Sequence, residues 1–444
     1  MADFNIGYNG SENFAPGKTR FGLFPALSAG WVVTGEKFME QQKVIDYLKV
    51  RVSWGRVGND RGINTRFMYM PAVWSDSGGY SFGASNPVDA PASAISSIGN
   101  PEVTWETADK QNYGVETRFL QDRLSVNFDY FMEKRKGILI SPRSTPPIIA
   151  FSLPNMNLGK VNNHGYEVSI GWKDNIKSDF NYYVNANLSY ARNKIIFNDE
   201  VPNEYDYMNE TGGPTGRTRN LYKFVRLYQY NDFIEDGNGK LVLNPSLPKP
   251  SADVQPGDAM YADLNSDNRV DGKDRFVYGY SDRPEYVLGV NLGFRWRGFS
   301  VSMQWTGAAH VNKMLELDYR IPFTNSGSRG LLTYFYDQCW TPENQLGAKY
   351  PRPSENSESW NSENSTLWLQ DASYLRLKNL SVGYTFNESS LLKKIGIKQM
   401  DLTFTGYNLL TFSPLKYIDP EGNTSNNGNY PLTKIYSFGL NLKF

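Results

Sequence analysis

The sequence has no long apolar run, very little cysteine and very little histidine. Because no stretch of about 18 consecutive apolar residues occurs, no helix is predicted to cross a bilayer. Cys339 is the only cysteine, which excludes an intrachain disulfide and a multi-cysteine metal site. Its side chain is expected to be buried. His164 and His310 are too few and too far apart for a zinc site, and a solvated or hydrogen-bonded role is expected for His164. The opening "MADFNIGYNG" has no basic or apolar segment, so no export signal is expected in this sequence.

An excess of charge of one sign is also missing. Lys and Arg together number 46 and so do Asp and Glu, so nothing predicts a nucleic acid or an anionic surface as a partner. Aromatic residues are abundant at 14%, which suits aromatic girdles at a membrane interface or stacking on sugars. The mean hydropathy of -0.53 does not exclude membrane residence, because a barrel strand averages a lipid face with a polar face.

Catalytic signatures are missing as well. The carboxylates are numerous but form no recognisable acid–base motif, and neither a nucleophile elbow nor a phosphate-binding loop is present. Neither histidine is linked by a motif to Cys339. The sequence therefore predicts a protein that is not an enzyme.

What the sequence does contain is alternation with a period of two. In "RLSVNFDYF" (123–131), apolar residues from Leu124 to Tyr130 alternate with Ser125, Asn127 and Asp129, so a strand would have one apolar and one polar face. In a soluble sandwich the apolar face would meet a protein core, whereas in an outer-membrane barrel it would meet lipid. The same pattern recurs in "YEVSIGW", "FNYYVNANLSY", "YVLGVNLGFRW" and "FSVSMQW".

The length of these segments favours the membrane interpretation. A tilted strand needs about 9–11 residues to cross a bilayer, while sandwich strands are usually about five or six residues long. The opposite face carries Ser, Thr, Asn, Gln, Gly and Arg, which suits a water-filled interior. The predicted fold class is all-β, a transmembrane antiparallel β-barrel. Strands are predicted near 4–14, 20–33, 48–58, 110–120, 123–140, 161–173, 179–192, 285–296, 299–309, 373–386, 400–410 and 430–444.

Connection lengths alternate from the fourth strand onward. They are tight at "QDR" and "RG", short at "KDNIKSD", and long at 141–160, 193–284 and 310–372. Bacterial barrels have short periplasmic turns and long extracellular loops, so the long connections are predicted to be extracellular. The last segment, "IYSFGLNLKF", ends on an aromatic residue and resembles the terminal strand by which barrel proteins are recognised for assembly.

Six motifs closely resemble the C-terminal barrel region of SusC/RagA-type TonB-linked outer-membrane transporters, in order and over essentially the whole chain. They are "FGLFPALSAGW" (21–31), "LKVRVSWGRVGN" (48–59), "NPEVTWETADKQNYGVE" (100–116), "WTPEN" followed by "AKYPR" (340–352), "YLRLKNLSVGYTF" (374–386) and "NLLTF" (408–412).

The resemblance implies a location in the outer membrane of a Gram-negative bacterium and a multi-pass barrel of about 22 strands. Such transporters import glycans or peptides, carry an N-terminal plug, bind a SusD-like surface lipoprotein and receive energy through TonB. The signal peptide, the plug, the TonB-contacting segment and about the first ten strands have no counterpart here. Residues 1–444 are therefore expected to be the C-terminal part of such a barrel, either a fragment or one piece of a split gene. The alternative is that the twelve predicted strands close as a smaller barrel, since twelve is an even number.

The sharpest local motif is "DLNSDNRVDGKD" (263–274), inside the long connection 193–284. Its spacing is that of an EF-hand-type calcium loop, with ligands at nearly every second residue. Asn268 stands at the usual Gly position and Asp274 replaces the bidentate Glu, so a weak, structural Ca²⁺ site that stiffens an extracellular loop is predicted. An Asp/Asn-rich solvated turn is the alternative. The predicted ligands are Asp263, Asn265, Asp267, the Arg269 carbonyl, Asp271 and Asp274.

The leading hypothesis is TonB-dependent import of glycans, oligosaccharides or peptides with a SusD-like lipoprotein. A passive porin or a siderophore receptor is the alternative among membrane proteins, and a secreted all-β carbohydrate-binding protein is the alternative of another class. No substrate-binding residue is assigned. Aromatic residues of the loops are expected either to stack on sugar rings or to pack their own loops: Trp74, Tyr80, Trp360 and Trp368.

Overall fold

The computed structural model of the chain is all-β, and the helices whose bounds it gives are short: α1 (Thr333–Tyr336) and five 3₁₀ helices of three residues each. It describes residues 1–17, 19–61, 66–70, 74–85, 87–95, 98–146, 148, 153–177, 179–316, 319–323, 330–354, 360–387, 392, 394–422 and 432–444. Within these ranges, no helix has the length and apolarity needed to cross a membrane. The strands are β1 (Ala2–Gly10), β2 (Phe21–Val32), β3 (Ile45–Asn59), β4 (Trp74–Phe82), β5 (Val88–Ile95), β6 (Glu106–Phe119), β7 (Leu124–Ile140), β8 (Met156–Ile176), β9 (Phe180–Phe197), β10 (Thr218–Leu221), β11 (Phe224–Leu227), β12 (Phe233–Glu235), β13 (Leu241–Leu243), β14 (Lys249–Pro250), β15 (Ala259–Tyr261), β16 (Arg269–Val270), β17 (Phe276–Tyr278), β18 (Tyr286–Trp296), β19 (Phe299–Ala309), β20 (Asn312–Met314), β21 (Leu369–Asp371), β22 (Tyr374–Asn387), β23 (Gln399–Phe412) and β24 (Ile435–Lys443).

Twelve of these strands form one sheet, in the order β1-β2-β3-β6-β7-β8-β9-β18-β19-β22-β23-β24. These are the twelve strands predicted from alternation, so that prediction is confirmed. Strand β19 has the predicted bounds, whereas β8 begins before the predicted residue 161 and ends after the predicted residue 173. Sheet neighbours follow one another along the chain except where the short strands of a connection intervene, so the sheet is an antiparallel meander.

The hairpin of β4 and β5 was not predicted. It lies in the connection between β3 and β6 and pairs Tyr80 with Ala90 and Phe82 with Val88. In the segment "WSDSGGYSF", Asp76, Gly78 and Gly79 interrupt the alternation of apolar residues, so the sequence does not predict a strand here.

The chain divides into two compact units. On the polar face of the first unit, Arg51 lies opposite Gly114, which in turn lies opposite Asp129. The Arg51 guanidinium pairs with Glu116 at 3.0 Å and with Asp129 at 2.7 Å. A Cβ on Gly114 would lie 2.6 Å from Arg51 Nε and 2.8 Å from Asp129 Oδ1, so the glycine gives this ion pair its space. Unit 1 comprises 1–168, 191–202 and 211–213, and unit 2 comprises 169–190, 203–210 and 214–444.

The apolar face of unit 2 ends in aromatic rows. At the end near the tight turn after Trp296, the register places Phe180, Trp296, Phe299 and Tyr384 in one row across four strands. Tyr286 marks the other end of β18. From Tyr286 to Trp296 the strand rises about 34 Å, or about 24 Å at a tilt of about 45°, which matches the apolar band of an outer-membrane barrel.

Most of the buried apolar side chains in the described residues lie in the connections rather than in the twelve-stranded sheet. In unit 2, the connections 214–285 and 310–373 share this packing. Trp368 is fully buried and stacks on Tyr350 at 5.6 Å, and Trp360 packs against Tyr222 and Tyr261. A sheet with lipid on one side and water on the other has no second layer to pack against, so the long connections form their own core.

One charge-controlled tether in unit 1 gives a pH prediction. The Asp199 carboxylate accepts the backbone N–H of Ser144 at 3.1 Å and of Arg143 at 2.7 Å, and these bonds, those of Ser144 first, lower the pKa of Asp199. A depressed folded pKa means that the tether is present above the unfolded value of about 3.9 and is lost as pH falls through the lower folded value. Amide hydrogen exchange at Ser144, corrected for the intrinsic rate, should therefore be protected at about pH 5 and lose that protection as the pH is lowered through the folded pKa of Asp199, and Asp199→Asn should weaken the protection at about pH 5. Protection that stays constant throughout an acid titration of the unsubstituted protein would contradict the tether.

Candidate functional site

The polar face of unit 2 carries its side chains in rows of one chemical kind. The register places Asn185 opposite Asn291, Asn291 opposite Gln304, and Gln304 opposite Asn379. The Asn379 amide donates a hydrogen bond to the Gln304 side chain. Four primary amides therefore cross four adjacent strands at one level, each with both donors and acceptors.

The next row toward the tight turns consists of hydroxyl groups. Ser302 lies opposite Ser381, Ser381 opposite Thr405, and Thr405 opposite Ser437. Hydroxyls both donate and accept hydrogen bonds, so this row continues the same wettable surface without fixed charge.

A cavity of about 770 Å³ lies on this face beside the turn between β18 and β19. Its lining includes Arg295, Asn181 and Asp401, whose carboxylate accepts hydrogen bonds from Gln399 at 2.9 and 3.1 Å. Among the described residues, Arg295 has no ion pair. The cavity thus offers donors, acceptors and charges of both signs to a polar solute, and it contains no arrangement recognisable as catalytic.

The predicted calcium loop is a closed ring of hydrogen bonds in which the first and last carboxylates bind backbone N–H groups. Asp263 accepts from Ser266 at 2.7 Å and from Asn268 at 2.8 Å, and Asp274 accepts from Leu264 at 2.7 Å and from Asp271 at 2.8 Å. Asn268 adopts φ 63°, the left-handed conformation that the Gly position of such a loop requires. The segments that flank the loop are the strands β15 and β17 rather than helices.

The surroundings of this loop are electronegative. Burial, followed by the nearby Asp274 and Asp263 carboxylates, raises the pKa of Tyr207 to about 12. The Tyr207 hydroxyl donates to the Lys273 carbonyl at 2.6 Å. In the described part of the chain, no three His, Cys, Asp or Glu side chains are placed so that they could hold a metal ion.

The structure also shows the surroundings of most of the other residues singled out in the sequence. Cys339 is 3% exposed and burial raises the pKa of its thiol, as expected for a packed cysteine. His164 is exposed on β8. Trp360 and Trp368 are 5% and 0% exposed, so of the two alternatives expected for them, stacking on sugars or packing their own loops, the structure favours the packing. Tyr80 is exposed, and the side chain of Trp74 lies outside the described residues.

Sequence reasoning missed a buried charge cluster at the long-connection end of β22. Arg376 is 1% exposed, pairs with Asp419 at 2.7 Å and with Glu421, and donates to Thr411 Oγ1 at 3.0 Å. Tyr374 adds a hydrogen bond to Glu421 at 2.7 Å. The available signal was an Arg at a polar-face position of "YLRLKNL", but its acidic partners follow more than 40 residues later.

Comparisons with known proteins agree with this architecture. The family described as TonB dependent receptor-like, beta-barrel, matches residues 3–409. TonB-dependent receptor P3 of Formosa agariphila is 27% identical over 470 residues, which cover 99% of this chain and 44% of that protein. TonB-dependent receptor SusC of Bacteroides thetaiotaomicron is 24% identical over 455 residues, which cover 99% of this chain and 42% of that protein.

The solved structures agree on the fold. The structure of the RagAB peptide transporter superposes with a TM-score of 0.73 at 21% identity and covers 100% of this chain and 45% of that chain. The chain thus spans less than half the length of the relatives it matches. At this identity the likeness shows the fold alone.

A secreted carbohydrate-binding protein, the alternative of another class, is incompatible with a family match that runs through eleven of the twelve long strands. The match also agrees with the apolar and polar faces of the sheet, which suit lipid and water respectively. The chain belongs to the TonB dependent receptor-like β-barrel family, whose members lie in the outer membrane of Gram-negative bacteria.

Proposed function

We propose that the intact protein imports oligosaccharides or peptides across the outer membrane by TonB-dependent transport, with this chain forming part of the pathway wall. The observation that carries the proposal is the polar face of unit 2, where amide and hydroxyl rows lie above the cavity lined by Arg295 and Asp401. Such groups replace hydrogen bonds that a hydrated solute gives up in a narrow passage. No bond of the solute needs to be made or broken, so this chain acts without catalysis.

The proposed partners are a SusD-like lipoprotein outside and the TonB complex, acting through a region not contained in this sequence. The relative named SusC and the fold shared with the RagAB peptide transporter support this assignment. The packed connections 214–285 and 310–373 support it as well, because their shared aromatic core gives a docking protein a preformed surface.

Uptake by living cells tests the proposal. Cells that lack the gene should fail to take up either labelled oligosaccharides or labelled peptides, and a protonophore should abolish the same uptake in complemented cells. A passive porin would keep uptake in the presence of the protonophore, and a siderophore receptor would lose only ferric-siderophore uptake. Either of those two results would contradict the proposed function.

We also propose that the 263–274 loop binds one structural Ca²⁺ through the predicted ligands. Asp263 Oδ2 and both carboxylate oxygens of Asp274 each accept one backbone N–H and keep a second lone pair for a cation, toward which the other loop carboxylates would have to turn. Burial is the main cause of the raised pKa of Tyr207, but the Asp274 and Asp263 carboxylates add to it, and their negative potential favours a cation. The ion would cross-link the long extracellular connection against fraying.

Calorimetric titration of the intact protein with calcium should give a dissociation constant of about 10⁻⁴ to 10⁻³ M. Asp267→Asn removes a ligand charge and should weaken binding about tenfold or more, equivalent to about 1.4 kcal/mol. Asp236→Asn is the matched control, because Asp236 caps a separate turn of the same connection through Asn238 and Lys240. The calcium proposal would be wrong if the heat of binding were absent or if both variants weakened it equally.

A further inference from the structure

The apolar face of unit 1 carries one charged row. In the register of β3, β6 and β7, Arg56 lies opposite Asp109, and Asp109 lies opposite Lys134. Because side chains alternate between faces, this row is on the same face as Trp54 and Met132, which precede it by two residues on their strands. Charge therefore begins abruptly at one level of a face that is otherwise apolar.

The level of this row is the outer boundary of the apolar band. The tight connection 120–123 joins β6 to β7 and marks the periplasmic end, since short turns are periplasmic in such barrels. The rise from Leu124 to Lys134 is about 34 Å along β7, or about 24 Å across the bilayer at a tilt of about 45°. The charged row thus lies where lipid headgroups of the outer leaflet begin.

The row has an excess of positive charge. The Arg56 guanidinium donates two hydrogen bonds to the Asp109 carboxylate, at 2.7 and 3.1 Å. Lys136 lies one step beyond Lys134 on the same face, opposite Thr107. Both lysines are exposed, and within the described residues neither ammonium forms an ion pair or a hydrogen bond. The Asp109 carboxylate attracts both lysines electrostatically, but Arg56 already binds it, so the row keeps two positive charges in excess beside the hydrocarbon boundary.

The opposite face of the same strands is balanced. Lys110 pairs with Glu133 at 3.5 Å, and Arg135 pairs with Glu133 at 2.7 Å and with Glu106 at 2.8 Å. The excess charge is therefore specific to the lipid side. Strands β3, β6 and β7 lie inside the sheet, between β2 and β8. None of the three is therefore an edge strand to which a further strand could pair.

We propose that Arg56, Lys134 and Lys136 bind the phosphorylated headgroup of an outer-leaflet lipid. A phosphate at this level would pair with the two free ammonium groups and with the remaining donors of the Arg56 guanidinium. The acyl chains of the same lipid would lie along the apolar side chains of β7 below the row, from Phe128 to Met132. A lipid satisfies both halves of this surface, whereas free phosphate satisfies only the charged half. The inference depends on the membrane placement of the sheet and is independent of the imported substrate.

Native mass spectrometry of the intact protein in detergent tests this site with dioleoyl phosphatidic acid as the probe. The unsubstituted protein should bind phosphatidic acid more tightly than dioleoyl phosphatidylcholine, and millimolar glycerol 3-phosphate should not displace it. The double variant K134Q/K136Q should bind phosphatidic acid about thirty-fold more weakly, since it loses two lysine–phosphate contacts. The matched control K43Q/K177Q removes two exposed lysines at the opposite, short-turn end and should bind as the unsubstituted protein does.

Equal binding by K134Q/K136Q and K43Q/K177Q would overturn the proposal, and so would equal affinity for the two lipids. Displacement by glycerol 3-phosphate would assign the site to soluble phosphate and overturn the lipid assignment. Both double variants should keep the heat-modifiable gel migration of a folded barrel, so that a loss of lipid binding cannot be confused with a loss of fold.

Discussion

Replacing Arg376 with leucine is expected to lower the free energy of unfolding by about 3–5 kcal/mol and to expose the connection after β23 to proteases. Arg376 is 1% exposed, while its partners Asp419 and Glu421 remain partly covered when the guanidinium is gone. The two carboxylates would then lose the cation that bridges them and keep only the more exposed Lys378 beside Glu421, and removal of one partner from a buried pair costs more than the pair contributes when intact. Urea unfolding in lipid vesicles measures the first effect, and limited proteolysis at 413–422 measures the second.

Lys378→Gln is the matched control for this prediction. Lys378 also pairs with Glu421, at 3.4 Å, but its side chain is 37% exposed, so its loss should cost less than about 1 kcal/mol. Arg376→Lys keeps one charge but cannot hold two carboxylates in a fork, and an intermediate effect is expected. If R376L and K378Q unfolded at the same urea concentration, the cluster would not be what holds this connection.

The sheet was predictable because alternation is a local signal. Each crossing strand has to present apolar side chains to lipid over about ten residues, and β18 and β19 show this with hardly an interruption. Strand ends were less predictable, since β8 and β9 continue beyond the membrane in segments that need no apolar face. The hairpin of β4 and β5 gave no signal, because Asp76 and two glycines interrupt the alternation of apolar residues in β4.

The connections were hardly predictable because their contacts are long-range. Tyr261 donates its hydroxyl proton to the Trp360 carbonyl across 99 positions of sequence, and no periodicity links the two segments. The aromatic residues of the loops were noticed, but composition cannot distinguish a residue that binds sugar from one that fills a core. The acidic loop is different, because Asx turns and left-handed Asn are encoded by adjacent residues, and its hydrogen-bonded ring agrees with the spacing in the sequence.

Placing arginine at Val290 is expected to destabilise the protein by about 2–4 kcal/mol, because this side chain lies near the middle of the apolar band. The register sets Val290 opposite Trp305 on one side and Ala186 on the other, between the aromatic rows that end β18. The apolar band is about 25 Å high, so a guanidinium at its middle would have to reach an interface about 12 Å away or remain in hydrocarbon. The measurement is again urea unfolding in vesicles, with the midpoint and the slope compared between variants.

Asn291→Arg makes the matched test, one residue further along the same strand. Asn291 belongs to the amide row between Asn185 and Gln304, and a charged side chain on a wet face should cost less than about 1 kcal/mol. A large penalty at 290 with a small one at 291 requires two different solvents on the two sides of a single strand, which is the physical basis of the membrane assignment. Large penalties at both 290 and 291 would mean that both faces pack against protein. Small penalties at both positions would mean that both faces meet water. In either of those cases the polar rows could not be read as the wall of an import pathway.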